Sequence, residues 1–357
     1  MARMFQYQRL KYLILLALTS VVLLQPLRLV FLSLLMPQTW VDTDTTHLYR
    51  VMNDFQNFDV ESKPLAKDAS FNRVQANMSR FPVLQKSRET AYPEFFHYLD
   101  LLHFQAKEDN SDALLQNLKV LNTFKPLLTP KEGAQLLFAL EIFVKACREA
   151  GLTYFILEAS LMGVIRHHGL IPWDDDIDIV MRASEWPKIR NVLGNINGFE
   201  LYTPGDSQWK FYMKDATAFP DKPFKFPNLD IFFFGEDDTH IWALTKGLKH
   251  DLVYRKSDIF PLNWRPFEHL MVPVPCNLDL VVHKAHDKNV CITPEYIHKT
   301  NERFLLGGKV TVDCKLLHGV YPFVFVAKSN RPGYDEERLK IGPTEVHKRL
   351  VPAVCGG

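Results

Sequence analysis

Four carboxylates stand within five residues in the stretch Ile171-Pro172-Trp173-Asp174-Asp175-Asp176-Ile177-Asp178-Ile179. Such a run repels itself, and at the start of a strand it needs a compensating positive charge. A divalent cation supplies one. Asp176 and Asp178 are two positions apart, so on a strand they share a face while Ile177 and Ile179 turn into the core. Carboxylates at that spacing suit Mg²⁺ or Mn²⁺, ions that prefer oxygen ligands and commonly keep phosphate oxygens as the remainder. Asp230, in Asn228-Leu229-Asp230-Ile231-Phe232, is a lone acid in an apolar strand and is expected as the third metal ligand. Asp174 is two residues before Asp176 on the same expected face and is the candidate to accept a proton. An Asp-rich run can also be a solvated turn, which suits Asp174 and Asp175 in part. The alternation with Ile and Val argues against it for Asp176 and Asp178.

Upstream, Ala159-Ser160 follows an apolar strand and precedes Leu161-Met162-Gly163-Val164-Ile165. A small residue and a hydroxyl there can open a helix whose free N–H groups face a phosphate. Ser160 and Arg166 are the candidate phosphate-binding residues, Arg166 through its forked guanidinium. A lone Arg is usually a surface or ion-pair residue, and taken alone Arg166 is expected in that role. His167 and His168 are expected in a solvated turn.

These residues need elements to hold them. Thr129-Pro130-Lys131-Glu132 has the N-cap, N1 proline and N3 acid of a capping box. The helix it starts carries Leu136, Leu137, Leu140, Phe143, Val144 and Cys147 on one face and stops at Gly151. Strands are expected at Thr153–Leu157, Ile177–Met181, Trp209–Lys214 and Leu229–Phe234, with a helix capped by Ser184 running to Leu193. Strand and helix alternate, so the fold class is a mixed α/β sheet with helices against it. Before it, Phe95, Phe96, Leu99, Leu102 and then Leu114, Leu118 and Leu121 recur at helical spacing in an otherwise mixed segment, read as a stem of short helices.

The N-terminus bears on the compartment. Arg3, Arg9 and Lys11 precede the apolar block Tyr12–Leu24, which resumes from Leu29 to Met36, and Asp42 and Asp44 follow. The positive-inside rule makes 1–11 a cytosolic tail and 12–36 a transmembrane signal anchor, with the rest in a lumen or outside. A cleaved signal peptide is the competing reading, since Tyr12–Leu24 has the length of its apolar region. Asn77-Met78-Ser79 is an N-glycosylation sequon compatible with a lumenal stem. The expected division is tail 1–11, anchor 12–36, stem 37–128, α/β domain 129–345 and C-terminal tail 346–357.

Composition closes off other classes. The 357 residues are 47% hydrophobic, enough for a core and too many for a disordered chain. Lys+Arg total 42 against 41 Asp+Glu, with no long basic run in the soluble part, so nucleic acid is not the expected partner. The five cysteines form no paired CxxC motif; Cys276 and Cys291 could pair in a lumen, or either could be a buried thiol.

The block Leu157–Met181, above all Ile-Pro-Trp-Asp-Asp-Asp-Ile-Asp-Ile, resembles the signature of the LicD family, which includes bacterial phosphocholine transferases and the fukutin group. Leu229–Phe234 with Asp238–Trp242, and Phe260–Leu262 through Phe267-Glu268 to Val272–Cys276, resemble the fukutin branch. The resemblance covers about residues 131–300. It implies a polymerase-β-like nucleotidyltransferase core and a metal-dependent transferase moving ribitol phosphate or phosphocholine from a CDP-activated donor to a glycoprotein glycan. It also implies a Golgi or ER membrane location. Carried over by position, Asp176, Asp178 and Asp230 are the metal acids, Ser160 the phosphate-loop hydroxyl and Arg166 a donor contact. One departure stands out: the family usually has glycines before the loop hydroxyl, and here Glu158 and Ala159 stand there. The alternative it leaves open is a LicD-fold binding or scaffold protein without turnover.

Overall fold

The computed structural model describes residues 74–89, 91–109, 112–204, 208–244, 253–285, 287–303 and 309–353. The expected anchor at 12–36, its cytosolic tail, the first half of the stem and Cys355 lie outside them. Among the described residues no helix is long and apolar enough to cross a membrane.

Among the described residues, three helices precede the domain: α1 (Arg80–Arg88), α2 (Pro93–Asp109) and α3 (Asp112–Thr123). They are packed onto the domain rather than standing apart from it. Phe95 of α2 is buried and stacks on Tyr321 with ring centroids 5.0 Å apart. Arg80 pairs with Glu141 at 2.7 Å and Arg88 with Glu268 at 3.3 Å. Asn77, just before α1, is exposed, and its Oδ1 accepts the Ser79 hydroxyl at 2.7 Å.

Helix α4 (Pro130–Ala150) begins with the capping box its sequence requires: the Glu132 N–H donates to Thr129 Oγ1 at 3.3 Å and the Thr129 N–H to Glu132 Oε2 at 2.8 Å. It ends at Gly151, whose φ of 61° only glycine adopts without cost. Its inner face, including Cys147, is buried in the core.

The central sheet takes β1 (Tyr154–Ile156), β2 (Ile177–Arg182), β3 (Phe199–Tyr202), β4 (Trp209–Met213) and β5 (Leu229–Glu236) in the order β1-β2-β5-β4-β3. Two further strands, β6 (His240–Ala243) and β7 (Val253–Arg255), extend it from the far end of β5. Among the described strands, only β2 and β5 pair in parallel. Helix α5 (Glu158–His167) links β1 to the β2 segment, and α6 (Trp186–Gly194) links β2 to β3. The chain is therefore mixed α/β. Ser184 falls in a short 3₁₀ turn, and Glu185 takes the N-cap place expected of Ser184.

Beyond the sheet, a hairpin β8 (Asn263–Phe267) and β9 (Leu270–Val274) packs on β1, and β10 (Val290–Ile292) pairs with β11 (Thr311–Asp313). Cys291 and Cys314 form a disulfide, so Cys291 does not pair with Cys276. A three-stranded antiparallel sheet closes the chain, made of β12 (Phe323–Lys328), β13 (Tyr334–Ile341) and β14 (Thr344–Pro352). The described part of the expected tail, 346–353, is thus mostly strand: Thr344 to Pro352 pair with β13, with a register shift that leaves Val346 as a bulge.

His167 and His168 are not in a solvated turn. Both are buried, His167 with its Nδ1 2.6 Å from the Pro322 carbonyl and His168 bridging Glu337 at 2.8 Å and His347 at 2.9 Å. The C-terminal sheet covers them, and it is invisible to local patterning around residue 167.

Candidate metal centre and its surroundings

Strands β2 and β5 lie side by side in parallel with Asp178 opposite Asp230. Ile177, Ile179, Leu229 and Ile231 are buried in the core on either side of these acids, which is the period-2 pattern their sequences carry. Asp176, immediately before β2, joins them: Asp176, Asp178 and Asp230 each present a carboxylate oxygen within 4.8 Å of the others.

The carboxylates of this group repel one another in a partly buried place, with His298 and Lys210 as the cations that face them. Burial pushes the Asp178 carboxyl well above the usual range, and Asp176, Asp230, Asp174 and Glu158 push it further. Asp176 is raised by burial, with His298 pulling it back and Asp230 and Asp175 adding to the rise. Three mutually repelling carboxylates in a poorly hydrated place are a donor set that fits a hard, oxygen-preferring dication, so the residues present suit Mg²⁺ or Mn²⁺.

Asp174 is in the turn before β2, its N–H donating to the Ile171 carbonyl at 3.0 Å, and not on the strand face expected of it. It still interacts with the group: burial first, then Asp176 and Asp175, raise its carboxyl well above the ordinary range. Asp175 is fully buried rather than solvated. Its oxygens accept the backbone N–H groups of His298 at 3.2 Å and Lys299 at 2.8 Å, with His298 Nδ1 at 3.0 Å. His298 Nε2 is 3.3 Å from Asp176 Oδ2, so the imidazole bridges two adjacent acids. Burial opposes its charge, but Asp176 and the hydrogen bond to Asp175 outweigh burial and raise it to about 9.

Ser160, in the first turn of α5, accepts the Asp178 N–H on its hydroxyl oxygen at 2.8 Å and so ties that turn to the strand bearing the acids. Leu157 is the N-cap, without a side-chain cap, and Glu158 opens the helix at φ 52°, a left-handed geometry that glycine takes freely. Gly163 allows close approach: a Cβ there would sit 2.5 Å from the Gly169 carbonyl oxygen. Arg166 is not with the acids. Its Nε donates to the Lys288 carbonyl at 3.0 Å and its Nη2 to those of Asp287 at 2.7 Å and Val290 at 2.6 Å. The guanidinium clamps the segment before β10, and burial lowers its pKa to about 10.

On the other side of Asp230, β4 runs antiparallel to β5 with Lys210 opposite Asp230. The Lys210 ammonium donates to Asp230 Oδ1 and, at 3.2 Å, to Asn228 Oδ1, while Gln208 Nε2 reaches Asp230 Oδ2 at 3.3 Å. A cavity of about 460 Å³ opens here, walled by Tyr202, Phe224, Tyr296, Asn228, Lys210 and Asp230 among others. The sequence carries no local signal for His298. Lys210 had one: a lone cation in the apolar run Trp209–Met213.

Residues 151–277 match the family described as LicD/FKTN/FKRP, nucleotidyltransferase domain. The chain is similar to the lipopolysaccharide cholinephosphotransferase LicD of Haemophilus influenzae, 40% identical over 53 residues, or 15% of this chain and 20% of that protein. It is also similar to the ribitol-5-phosphate transferase FKTN of Mus musculus, 25% identical over 169 residues, or 46% of this chain and 34% of that protein. The matches thus span about a third or less of those relatives' own length. Among solved structures, the lincomycin-bound lincosamide antibiotic adenylyltransferase LnuA aligns at 17% identity with a TM-score of 0.28, covering 41% of this chain and 84% of that one.

Proposed function

We propose, from the match of residues 151–277 to the LicD/FKTN/FKRP nucleotidyltransferase domain family, that the protein is a metal-dependent transferase of a phospho-alcohol. The donor is CDP-activated ribitol phosphate or phosphocholine, and the acceptor is a sugar hydroxyl of a glycoprotein glycan. The observation that carries this reading is the convergence of Asp176, Asp178 and Asp230 within 4.8 Å beside a cavity of about 460 Å³. Asp176, Asp178 and Asp230 would hold Mg²⁺ or Mn²⁺, which when bound would supply neutralisation of the donor's diphosphate.

The protein's own groups do the rest. The acceptor hydroxyl oxygen forms a bond to the phosphorus of the phospho-alcohol, the bond from that phosphorus to the CMP oxygen breaks, and CMP leaves with the electron pair. The hydroxyl proton passes to a carboxylate, and Asp174, made more basic by burial beside Asp176, is the residue proposed to take it. Ser160 keeps the first turn of α5 against Asp178, which is where a phosphate would meet the free N–H groups of that turn.

A Golgi or ER lumenal location, with a type II anchor at 12–36, belongs to the same proposal. The Cys291–Cys314 disulfide supports it, because such bonds persist in oxidising compartments. Exposed Asn77 is the proposed glycan acceptor on the protein itself.

A second reading, a scaffold without turnover, is favoured by one observation: Glu158 puts a further carboxylate near Asp178 at the position where phosphate would approach. Calorimetric titration of the full chain with CDP-ribitol, CDP-choline and CDP-glycerol, with and without Mn²⁺, separates the two. The transferase reading expects one donor to bind only with Mn²⁺, and Asp176→Asn to lose it. Binding of no donor under any condition leaves the scaffold.

A further inference from the structure

The third acid of the centre already has its oxygens occupied. Lys210 donates to Asp230 Oδ1, and Gln208 donates to Oδ2 at 3.3 Å. The ammonium is buried on a central strand, so water cannot take over its role cheaply. Two other groups steady it: Asn228 Oδ1 at 3.2 Å and the face of Phe224, with the ring centroid 4.8 Å away. Both line the cavity, as Lys210 itself does.

A dication on Asp230 and an ammonium hydrogen-bonded to the same carboxylate repel one another at short range in a poorly hydrated site. A dication that takes Asp230 through Oδ1 displaces Lys210 from that oxygen. Asn228 and Phe224 keep the freed ammonium at the cavity wall, where a dication and a lysine together call for an anion. We propose that Lys210 is a counter-charge used in turn: it neutralises Asp230 before metal binds and contacts the donor's diphosphate afterwards, which couples the two binding events. The proposal rests on the metal-dependent transferase reading above. It assigns the cavity beside Asp230 to the phosphate end of a nucleoside diphosphate, and it makes Lys210 a donor-binding residue.

The thermodynamic signature is a pair of changes of opposite sign. In full-length Lys210→Met, MnCl₂ alone should bind at least about fivefold more tightly than to wild type, because a competitor for Asp230 has gone. CDP binding in saturating Mn²⁺ should weaken about tenfold or more, because the anion has lost its cation. Lys210→Arg should hold CDP within about threefold of wild type. If Lys210→Met does not fold, as read by circular dichroism, Lys210→Gln removes the same positive charge with a polar side chain and gives the same two readings. An ion pair that merely supports the fold would weaken Mn²⁺ and CDP together or leave both unchanged, and either result overturns the proposal. Wild type that binds no Mn²⁺ overturns the metal reading itself, and this one with it; wild type that binds Mn²⁺ with no opposed response in the variants overturns this one alone.

Discussion

Asp178 and Asp230 are register partners across the parallel pair β2–β5, two acids set side by side by strands from distant parts of the chain. Burial and the neighbouring carboxylates hold Asp178 well above the usual carboxylate range, so its ionised form costs stability when no cation is bound. Asp178→Asn is expected to raise the melting temperature of the metal-free protein and to abolish the rise that Mn²⁺ gives wild type. That rise corresponds to about 2.7 kcal/mol at a hundredfold excess over Kd. A thermal melt with and without MnCl₂ checks both, and an unchanged Mn²⁺ response in the variant contradicts the assignment.

Asp175 holds the 298–299 segment by three hydrogen bonds while fully buried. Removing it leaves the imidazole of His298 and two N–H groups without that acceptor. Asp175→Ala is expected to cost about 3 kcal/mol in urea unfolding. A loss below about 1 kcal/mol would mean that the segment is held by other contacts.

Arg166 clamps three carbonyls of residues 287–290 and stands away from the carboxylates. Arg166→Met is expected to lower stability by about 2–4 kcal/mol, with Arg166→Lys recovering only part because one ammonium cannot match the fork. CDP affinity, measured well below the melting temperature, should stay within about twofold. A tenfold loss of CDP binding would return Arg166 to the donor.

His167 is held neutral in the core: burial lowers it to about 3 against the hydrogen bond to the Pro322 carbonyl. The unfolded chain takes up its proton near pH 6.5, so this contribution to stability is full above about pH 6.5 and is lost as the pH falls toward 3. The expected slope is up to about 1.4 kcal/mol per pH unit. Urea unfolding across that range should show one proton fewer in the slope for His167→Gln.

Glu158 sits at φ 52°. Glu158→Gly is expected to stabilise the protein by about 1 kcal/mol, since glycine adopts that geometry without a Cβ clash. Calorimetric melting reads the change, and a destabilised variant would show that the Glu158 side chain makes contacts worth more than the strain.

The signals legible along the chain act over a few residues. The Thr129–Glu132 capping box and Gly151 bound α4, and alternation with Ile and Leu set Asp178 and Asp230 on strands with their neighbours in the core. Those signals are local because capping and strand pleating are local. The tertiary structure decided which segment covers each residue. Asp175 turns inward because residues 298–299 come over it with N–H groups to satisfy, and Arg166 faces carbonyls that only the placement of 287–290 supplies. His167 and His168 are dry because a C-terminal sheet closes on them, and Lys210 reaches Asp230 because β4 pairs antiparallel in that one register. Burying a charge or a polar ring is settled by the partner that arrives from elsewhere in the chain, and residue spacing holds no record of that partner.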